Sequence, residues 1–428
     1  MYFYILNLGC AKNQVDSEEL AGLLAAGGHE MVTSAEEADV AIVNTCGFIQ
    51  PAVEESVDAI LDLEALKRRG NLRKIGVIGC LVKRYGENLA REVPSVDFWA
   101  GPQEWDKVLK ALDTEGGVHE RPLMPGNPAW SRYLKISEGC NERCTYCTIP
   151  SIRGPLKSVP VDEILKEAEK LIESGAKELC VISQDPTAYG MDIYGGPYLK
   201  NLIKEFDRFL PENLWVRLLY LNPKRVDEEL LQIINDSKVV LPYLDIPIQH
   251  VNSSILKTMN RTGLWEDPRE VFRIARRMNP MFALRTTLMV GFPGETDMEF
   301  DELLDFLEEI QLDRVGAFTF YPEEGTLAAT LPSQVDDGIK ESRYAELMEV
   351  QEGISLKRQK LFEGKPLDVL IEEKDKDEPI YWGRSYRDAP EVDGSVCVSS
   401  SSALVPGVIV RAQVEEAAEY DMFGKVLA

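Results

Sequence analysis

The sequence predicts an α/β protein of three parts: an open parallel α/β domain, a partial (βα)6 barrel and a small antiparallel β-barrel. Three observations carry this. Apolar runs alternate with helical patterns over residues 1–120, and the alternation resumes over 131–335. A stretch with three prolines, "ERPLMPGNPAW", separates the two regions. After Gly364 the texture changes to short β-rich runs divided by turn residues. Strand–helix alternation needs crossover connections and so implies parallel sheets. Short strands joined by turns imply an antiparallel barrel.

Within 1–120, "YFYILNLG", "DVAIVNT" and "KIGVIG" read as strands, and "DSEELAGLLAAGG" and the segment after Pro51 as helices. Asp16 and Ser17 offer an N-cap pair for the first helix, and Pro51 suits a first helical turn. Residues 121–130 form a linker. Six strand candidates follow within 131–362: "RYLKIS", "ELCVIS", "WVRLLYL", "YLDIPIQ", "ALRTTLMVG" and "RVGAFTF". Helices such as "PVDEILKEAEKLIESG" and "DMEFDELLDFLEEI" fall between them, and a long charged helix spans about 338–362. Six units exceed a mononucleotide fold and fall short of a closed eight-unit barrel, so the site belongs at the C-terminal ends of the strands. Residues 363–428 hold the runs "LDVLIEE", "IYWGRSY", "GSVCVSS" and "GVIVRAQVEE".

At 428 residues, 44% apolar and 28% charged, the chain is a multi-domain globular protein. No apolar run approaches the roughly 20 residues of a membrane span. No basic residue precedes Lys12, so the N-terminus reads as a strand and not as a signal peptide, which points to the cytoplasm. The net charge of −25 disfavours nucleic acid over most of the surface and favours basic proteins as partners. The Ser and His residues show no hydrolase pattern, and no Gly-rich phosphate loop follows a strand.

Cysteine placement carries the chemistry. Cys140, Cys144 and Cys147 lie in one short loop directly after "RYLKIS". Iron–sulfur cubes normally take four thiolates, so three leave one iron open to a substrate or cofactor. The competing readings are a zinc site with a distant fourth ligand such as His250, or three core thiols. Cys10, Cys46 and Cys80 each end an apolar strand, about one βα repeat apart. Strand C-termini in a parallel sheet share one edge, so these three should converge as a second three-ligand site. Buried cysteines without a ligand are the alternative. Cys180 and Cys397 lie inside strands and read as core or strand residues rather than ligands. Gln184, Asp185, Arg217, Gln249, His250, Arg285 and Thr287 lie in or near strand ends, where they either line a pocket or serve structure.

C-x3-C-x2-C after the first strand of a partial barrel resembles the radical S-adenosylmethionine (SAM) superfamily. With "LGCAKNQVDSE", "SEGCNERCTYCTIPSIRG", "ISQDPTAYGMD", "YLDIPIQH" and "LRTTLMVGFPGET", the chain resembles the methylthiotransferase family from end to end. The resemblance implies an N-terminal methylthiotransferase domain, a radical SAM barrel and a C-terminal TRAM barrel. It implies two 4Fe-4S clusters, one on Cys10, Cys46 and Cys80 and one on Cys140, Cys144 and Cys147. The second would chelate SAM and cleave it to a 5′-deoxyadenosyl radical, while the first would present sulfur methylated by another SAM. Tyr146 matches an aromatic position near the adenine, with a packing role as its alternative. Gln184, Asp185 and Arg217 would line the SAM pocket. Ala11 stands where many relatives have proline.

Within the family, the motifs look most like the branch that adds a methylthio group to the β-carbon of an aspartate in the twelfth small-subunit ribosomal protein. An electron donor and a sulfur source would be further partners. The MiaB type, which modifies adenosine in transfer RNA, is the alternative, and a non-enzymatic iron–sulfur carrier is the alternative of another class. Charge favours the protein substrate: residues 365–428 hold seven Lys or Arg against thirteen Asp or Glu, which disfavours nucleic acid as direct substrate. Arg384 and Arg387 are where a local basic patch would have to form.

Overall fold

Six consecutive buried residues, Val40–Thr45, make a strand covered on both faces, and such a strand requires helices on each side of its sheet. In the computed structural model of the chain, which describes residues 1–47, 49–70, 72–376 and 378–427, this strand (β3) is central in a parallel sheet. The order is β2 (Glu30–Met31), β1 (Tyr2–Asn7), β3, β4 (Lys74–Gly79) and β5 (Phe98–Ala100). Helices α1 (Ala11–Ala26), α2 (Gln50–Arg68), α3 (Cys80–Glu92) and α4 (Trp105–Ala111) alternate with the strands. Side chains alternate along β3, so each face has its own core. Val40 and Ile42 pack with Phe3, Leu20 and Leu24. Ala41 and Val43 pack with Ile60, Ile75 and Val77.

This sheet belongs to the first of two compact units, which comprises Met1–Asn127, Glu138–Glu142 and Cys147–Pro155. The second comprises Pro128–Ser137, Arg143–Tyr146 and the described residues from Leu156 onward.

The expected strands and the helical turn at Pro51 are present. The edge strands β2 and β5 are two and three residues long, too short to show a period. The expected cap pair is a correction. α1 begins at Ala11 with Cys10 as N-cap, and Asp16 and Ser17 lie inside it. Asp16 pairs with Arg153 at 2.6 Å and Ser17 Oγ accepts from Asn44 Nδ2 at 2.9 Å. Polar residues kept for tertiary partners imitate a cap in sequence.

In the second unit the six expected strands form two parallel sets. β6 (Ser131–Lys135) pairs with β9 (Glu178–Ile182), which pairs with β10 (Trp215–Leu218). Two short strands, β7 (Ser137–Glu138) and β8 (Lys157–Ser158), precede β9. β11 (Tyr243–Asp245) pairs with β12 (Ala283–Val290), which pairs with β13 (Arg314–Thr319). A bridge from Val216 to Val240 and the bond from Leu221 N–H to Asp245 O at 2.8 Å join the sets. The long helix runs over Asp337–Lys360. No helix among the described residues is long and apolar enough to cross a membrane.

The C-terminal strands β14 (Pro366–Lys374), β15 (Ile380–Arg384), β16 (Val396–Ser399), β17 (Ile409–Ala417) and β18 (Met422–Val426) close into a barrel in the order β14-β15-β16-β18-β17. One ladder, β16 with β18, is parallel, and the others are antiparallel. The fifth strand, "MFGKV", is the short run that closes the barrel.

A segment of this barrel, Arg384–Asp393, meets the N-terminal parts of the six parallel strands through buried ions. Glu178 accepts from Arg217 at 2.8 Å, Arg384 at 2.6 Å and Ser131 at 2.8 Å. Arg387 pairs with Asp313 at 3.0 Å, Arg314 with Asp388 at 2.6 Å, and Tyr243 donates to Asp393 at 2.6 Å. Arg384 and Arg387 are therefore buried ion-pair residues, and no basic surface patch forms there.

Burial alone would raise the Glu178 carboxyl, but Arg384 and Arg217 outweigh it and hold the group at about 2. Its contribution to stability is full above its ordinary value, 4.5, and is lost as pH falls from there through about 2. Glu178→Ala leaves two buried guanidinium groups without their shared anion, so urea unfolding should show a loss of about 3–5 kcal/mol. The variant should also lose part of the decline in stability below pH 4.5. A loss under about 1 kcal/mol, the size of a surface pair, would contradict this account.

Candidate functional site

Strand register brings the first triad to one edge. Asn7 of β1 is level with Asn44 of β3, and Thr45 with Gly79 of β4. The residues just beyond these ends are Cys10, which caps α1, Cys46, and Cys80, the first residue of α3. Gly79 turns the chain into α3 with φ of 99°, where an added Cβ would lie 2.5 Å from Asn44 Oδ1. Only glycine suits that backbone and that space.

An amide network holds this edge. Asn13 is buried in the first turn of α1, and its Nδ2 donates to Asn44 Oδ1 at 3.0 Å and Thr45 O at 3.1 Å. Asn44 Nδ2 donates to Asn13 O at 2.8 Å. Asn13 Oδ1 lies 3.6 Å from Cys10 Sγ and 4.0 Å from Cys80 Sγ. Burial pushes the Cys80 thiol up to about 11; Arg153 opposes this, and the neighbouring Cys10 and Cys46 thiols add to it.

Among the described residues, no three His, Cys, Asp or Glu side chains stand close enough to hold a single metal ion. A mononuclear zinc site needs its sulfurs about 2.3 Å from one point, whereas a cluster of several irons presents its corners to ligands held further apart. An all-thiol donor set around a buried amide, with a guanidinium beside it, fits a cluster.

The loop after β6 carries the second triad. Cys140 and Cys147 belong to the first unit, where Cys140 N–H donates to Gly154 O at 3.1 Å and Cys140 Sγ accepts from Glu142 N–H at 3.4 Å. Cys144 belongs to the second, where Arg261 Nη1 is 3.7 Å from its Sγ. Arg261 Nη2 also donates to Pro247 O at 2.6 Å. The segment around Cys144 is pinned by Thr145 N–H to Met259 O at 3.0 Å and Asn260 Nδ2 to Arg143 O at 2.8 Å. Tyr146 packs against the cluster of Met259, Phe292 and Phe320. No disulfide forms among the described cysteines. Cys180 is fully buried in β9, as expected of a core residue.

The C-terminal ends of the barrel strands carry orphaned polar atoms. Ser137 Oγ, Ser183 Oγ and Gln249 Oε1 are buried without a hydrogen-bond partner. Tyr220 and Gln249 have φ of 67° and 72°, a region non-glycine residues seldom occupy. Unsatisfied groups and backbone strain at strand ends fit a pocket completed by a polar cofactor such as SAM. Gln184 and Asp185 stand at the same end. The Asp185 carboxylate accepts from Arg225 at 2.9 Å, Asn222 at 3.1 Å and Ala188 N–H at 3.2 Å, so it orders the turn after β9.

Arg217, expected in the SAM pocket, is placed elsewhere, and Arg285 and His250, read as either pocket or structural, have structural neighbours. Arg217 is buried against Glu178 and donates to Tyr386 O at 2.7 Å. Arg285 pairs with Asp245 at 3.0 Å and Asp393 at 3.3 Å, with Thr287 Oγ1 at 3.5 Å. His250 Nδ1 accepts from Val251 N–H and Asn252 N–H at 3.0 Å each, and its Nε2 lies 3.3 Å from Glu295. His250 Nδ1 is thus held by backbone, while its Nε2 lies beside the Glu295 carboxylate without a hydrogen bond. Asn13, Arg153 and Arg261 are the neighbours of cysteine that the sequence did not single out.

Three family models match the chain: the uncharacterized protein family UPF0004 over residues 2–101, the radical SAM superfamily over 134–307 and the TRAM domain over 364–427. Ribosomal protein uS12 methylthiotransferase RimO of Carboxydothermus hydrogenoformans is 42% identical over 440 residues, covering 100% of both chains. The protein of the same name from Clostridioides difficile is 43% identical and covers 98% of each. Among solved structures, the radical SAM methyltransferase TsrM from Kitasatospora setae, with cobalamin and a 4Fe-4S cluster bound, has a TM-score of 0.57. It is 16% identical and covers 76% of each chain, a likeness of fold.

Thiol labelling tests the geometry. In cluster-free reduced protein at pH 8, iodoacetamide should alkylate exposed Cys10 well before Cys80. With its thiol near 11, Cys80 has about one thiolate in a thousand at that pH. Peptide mass mapping should find Cys80 and Cys180 modified last. Equal rates at Cys10 and Cys80 would contradict the burial described.

Proposed function

Because the chain belongs to the ribosomal protein uS12 methylthiotransferase RimO family, with relatives 42% identical over their whole length, we propose that it adds a methylthio group to the β-carbon of an aspartate in uS12. The observation that carries this is the pair of cysteine triads, one inside the UPF0004 match and one inside the radical SAM match. The reading divides the chain into residues 1–120, 131–362 and 363–428, with 121–130 as linker. It calls for an electron donor and a sulfur source as partners, and for a cytoplasmic enzyme, where ribosomal proteins are met.

Cys10, Cys46 and Cys80 would hold one 4Fe-4S cluster, and Cys140, Cys144 and Cys147 the other. When bound, these clusters and SAM supply the sulfur, methyl and radical chemistry that replaces an unactivated C–H bond with C–S. The protein's own part is placement. Ser183, Gln184 and Gln249 offer polar atoms to SAM at the strand ends, and Tyr146 covers one side from its apolar seat. Arg261, held by Pro247 O, keeps a positive charge beside Cys144.

The C-terminal barrel suits a basic protein. Its outer surface carries a row in register: Glu373 beside Trp382, Trp382 beside Cys397, Cys397 beside Phe423, and Phe423 beside Glu416. Trp382 and Phe423 stand edge to face at 6.4 Å. Aromatic rings between carboxylates attract Lys and Arg side chains, and the same carboxylates repel phosphate.

Anaerobic reconstitution should give about eight irons per chain, and replacing Cys140, Cys144 and Cys147 with alanine should halve that count. With SAM, reductant and sulfide, mass spectrometry should show uS12 gaining about 46 Da, a methylthio group in place of hydrogen. Transfer RNA offered in parallel should stay unmodified. The same gain on transfer RNA adenosine would move the chain to the other branch of the family, and no 5′-deoxyadenosine under reduction would favour a carrier.

A further inference from the structure

Within the first unit, the loop bearing Cys140 and Cys147 closes on itself. Cys140 N–H bonds to Gly154 O, and a Cβ on Gly139 would sit 2.1 Å from Pro155 O. The loop's short helix, α5 (Ile149–Arg153), ends in an arginine that leaves its own neighbourhood. The Arg153 guanidinium donates to Asp16 at 2.6 Å, Asn13 Oδ1 at 2.8 Å and Glu138 at 3.2 Å. Its side chain is 2% exposed. The oxygen it holds, Asn13 Oδ1, is the atom within reach of both Cys10 Sγ and Cys80 Sγ. A residue carried by the second triad's loop is therefore built into the surroundings of the first.

We propose that Arg153 is a positioning residue that sets the reduction potential of a cluster held by Cys10, Cys46 and Cys80. It does so by placing its charge beside those thiols, where Asn13 Oδ1 holds the guanidinium. The inference rests on the assignment of these three cysteines as ligands. Three thiolates on a cluster carry a net negative charge, and reduction adds another. A nearby cation favours the reduced state, and hydrogen bonds and charge near the sulfurs are the protein's means of tuning the potential. A merely structural tie would hold the loop in place and leave the potential alone.

The test uses the full chain carrying Cys140→Ala, Cys144→Ala and Cys147→Ala, so that a single cluster is observed. Iron content, circular dichroism and an electron paramagnetic resonance redox titration are measured on this parent, on Arg153→Gln and on Arg153→Lys. Arg153→Gln should lower the reduced-to-oxidised ratio at a set potential by about tenfold or more, a midpoint shift of about 59 mV for one electron. Arg153→Lys keeps the charge and should stay within about threefold of the parent. A parent without about four irons would sink the ligand assignment itself. A parent and an Arg153→Gln variant that both hold four irons with the same midpoint would overturn the role of Arg153 alone. Should Arg153→Gln fail to fold or to hold iron, Arg153→Lys decides: a tenfold fall with native dichroism and full iron overturns the proposal.

Discussion

Glu178 sits between Arg217 and Arg384 with no side-chain surface left to water. The arrangement of the second unit depends on that contact. Burying a carboxylate is costly unless the cations facing it are well placed, and replacing such a group by apolar residues is often neutral for stability. What the ions supply is direction. Arg217 lies on β10 and Arg384 on β15, while Glu178 opens β9. The contact therefore fixes which end of the parallel strands the C-terminal barrel closes. Asp388 on Arg314 and Asp393 on Arg285 repeat the arrangement on the other strand set. With the N-terminal end closed by ions, the C-terminal end keeps the loops, the strained Gln249 and the unsatisfied Ser183.

The first unit is organised by amides at the opposite end of its strands. Asn13 and Asn44 hold each other by side chain and backbone, so the end of β3 and the first turn of α1 are one rigid piece. Buried polar networks of this kind specify a single arrangement because any other leaves a group unpaired. The arrangement also grades exposure across the triad. Cys10 is exposed, Cys46 half-buried and Cys80 buried. A cluster held by these thiols would be covered on the Cys80 side and open on the Cys10 side.

Topological position was legible in the sequence, and side-chain direction was not. All six central strands and the three long N-terminal ones announce themselves as apolar runs bounded by turn residues. Cys10, Cys46 and Cys80 are conspicuous because each follows such a run at the same point. Arg217 and Arg285 also lie in strands, but their sequence context does not say whether they serve the cofactor end or the closed end; only carboxylates from distant segments, Glu178 and Asp393, decide that. Asp16 and Ser17 failed as a cap for the same reason, since their partners are 137 and 27 residues away. The sign of Arg153 was present in "SIRG": an arginine followed by a glycine of positive φ, closing a loop already rich in thiols. β2, β5, β7, β8 and β18 were missed because strands of two to five residues carry little period.

The buried arginines also sharpen the charge of the surface. Of the seven basic residues in 365–428, Arg384 and Arg387 point inward and Arg411 is matched with Asp368. The cations that remain at the barrel surface are lysines: Lys365, Lys374, Lys376 and Lys425. Lysine is a point charge on a flexible stem and lacks the planar fork that grips phosphate at two points. The chain has therefore drawn most of this barrel's guanidinium groups into its framework, where fork geometry fixes one carboxylate against another. Carboxylates, those lysines and aromatic rings such as Phe423 and Tyr420 are left outside. One set of buried ion pairs thus both orients the barrel and removes two of its three arginines from the surface.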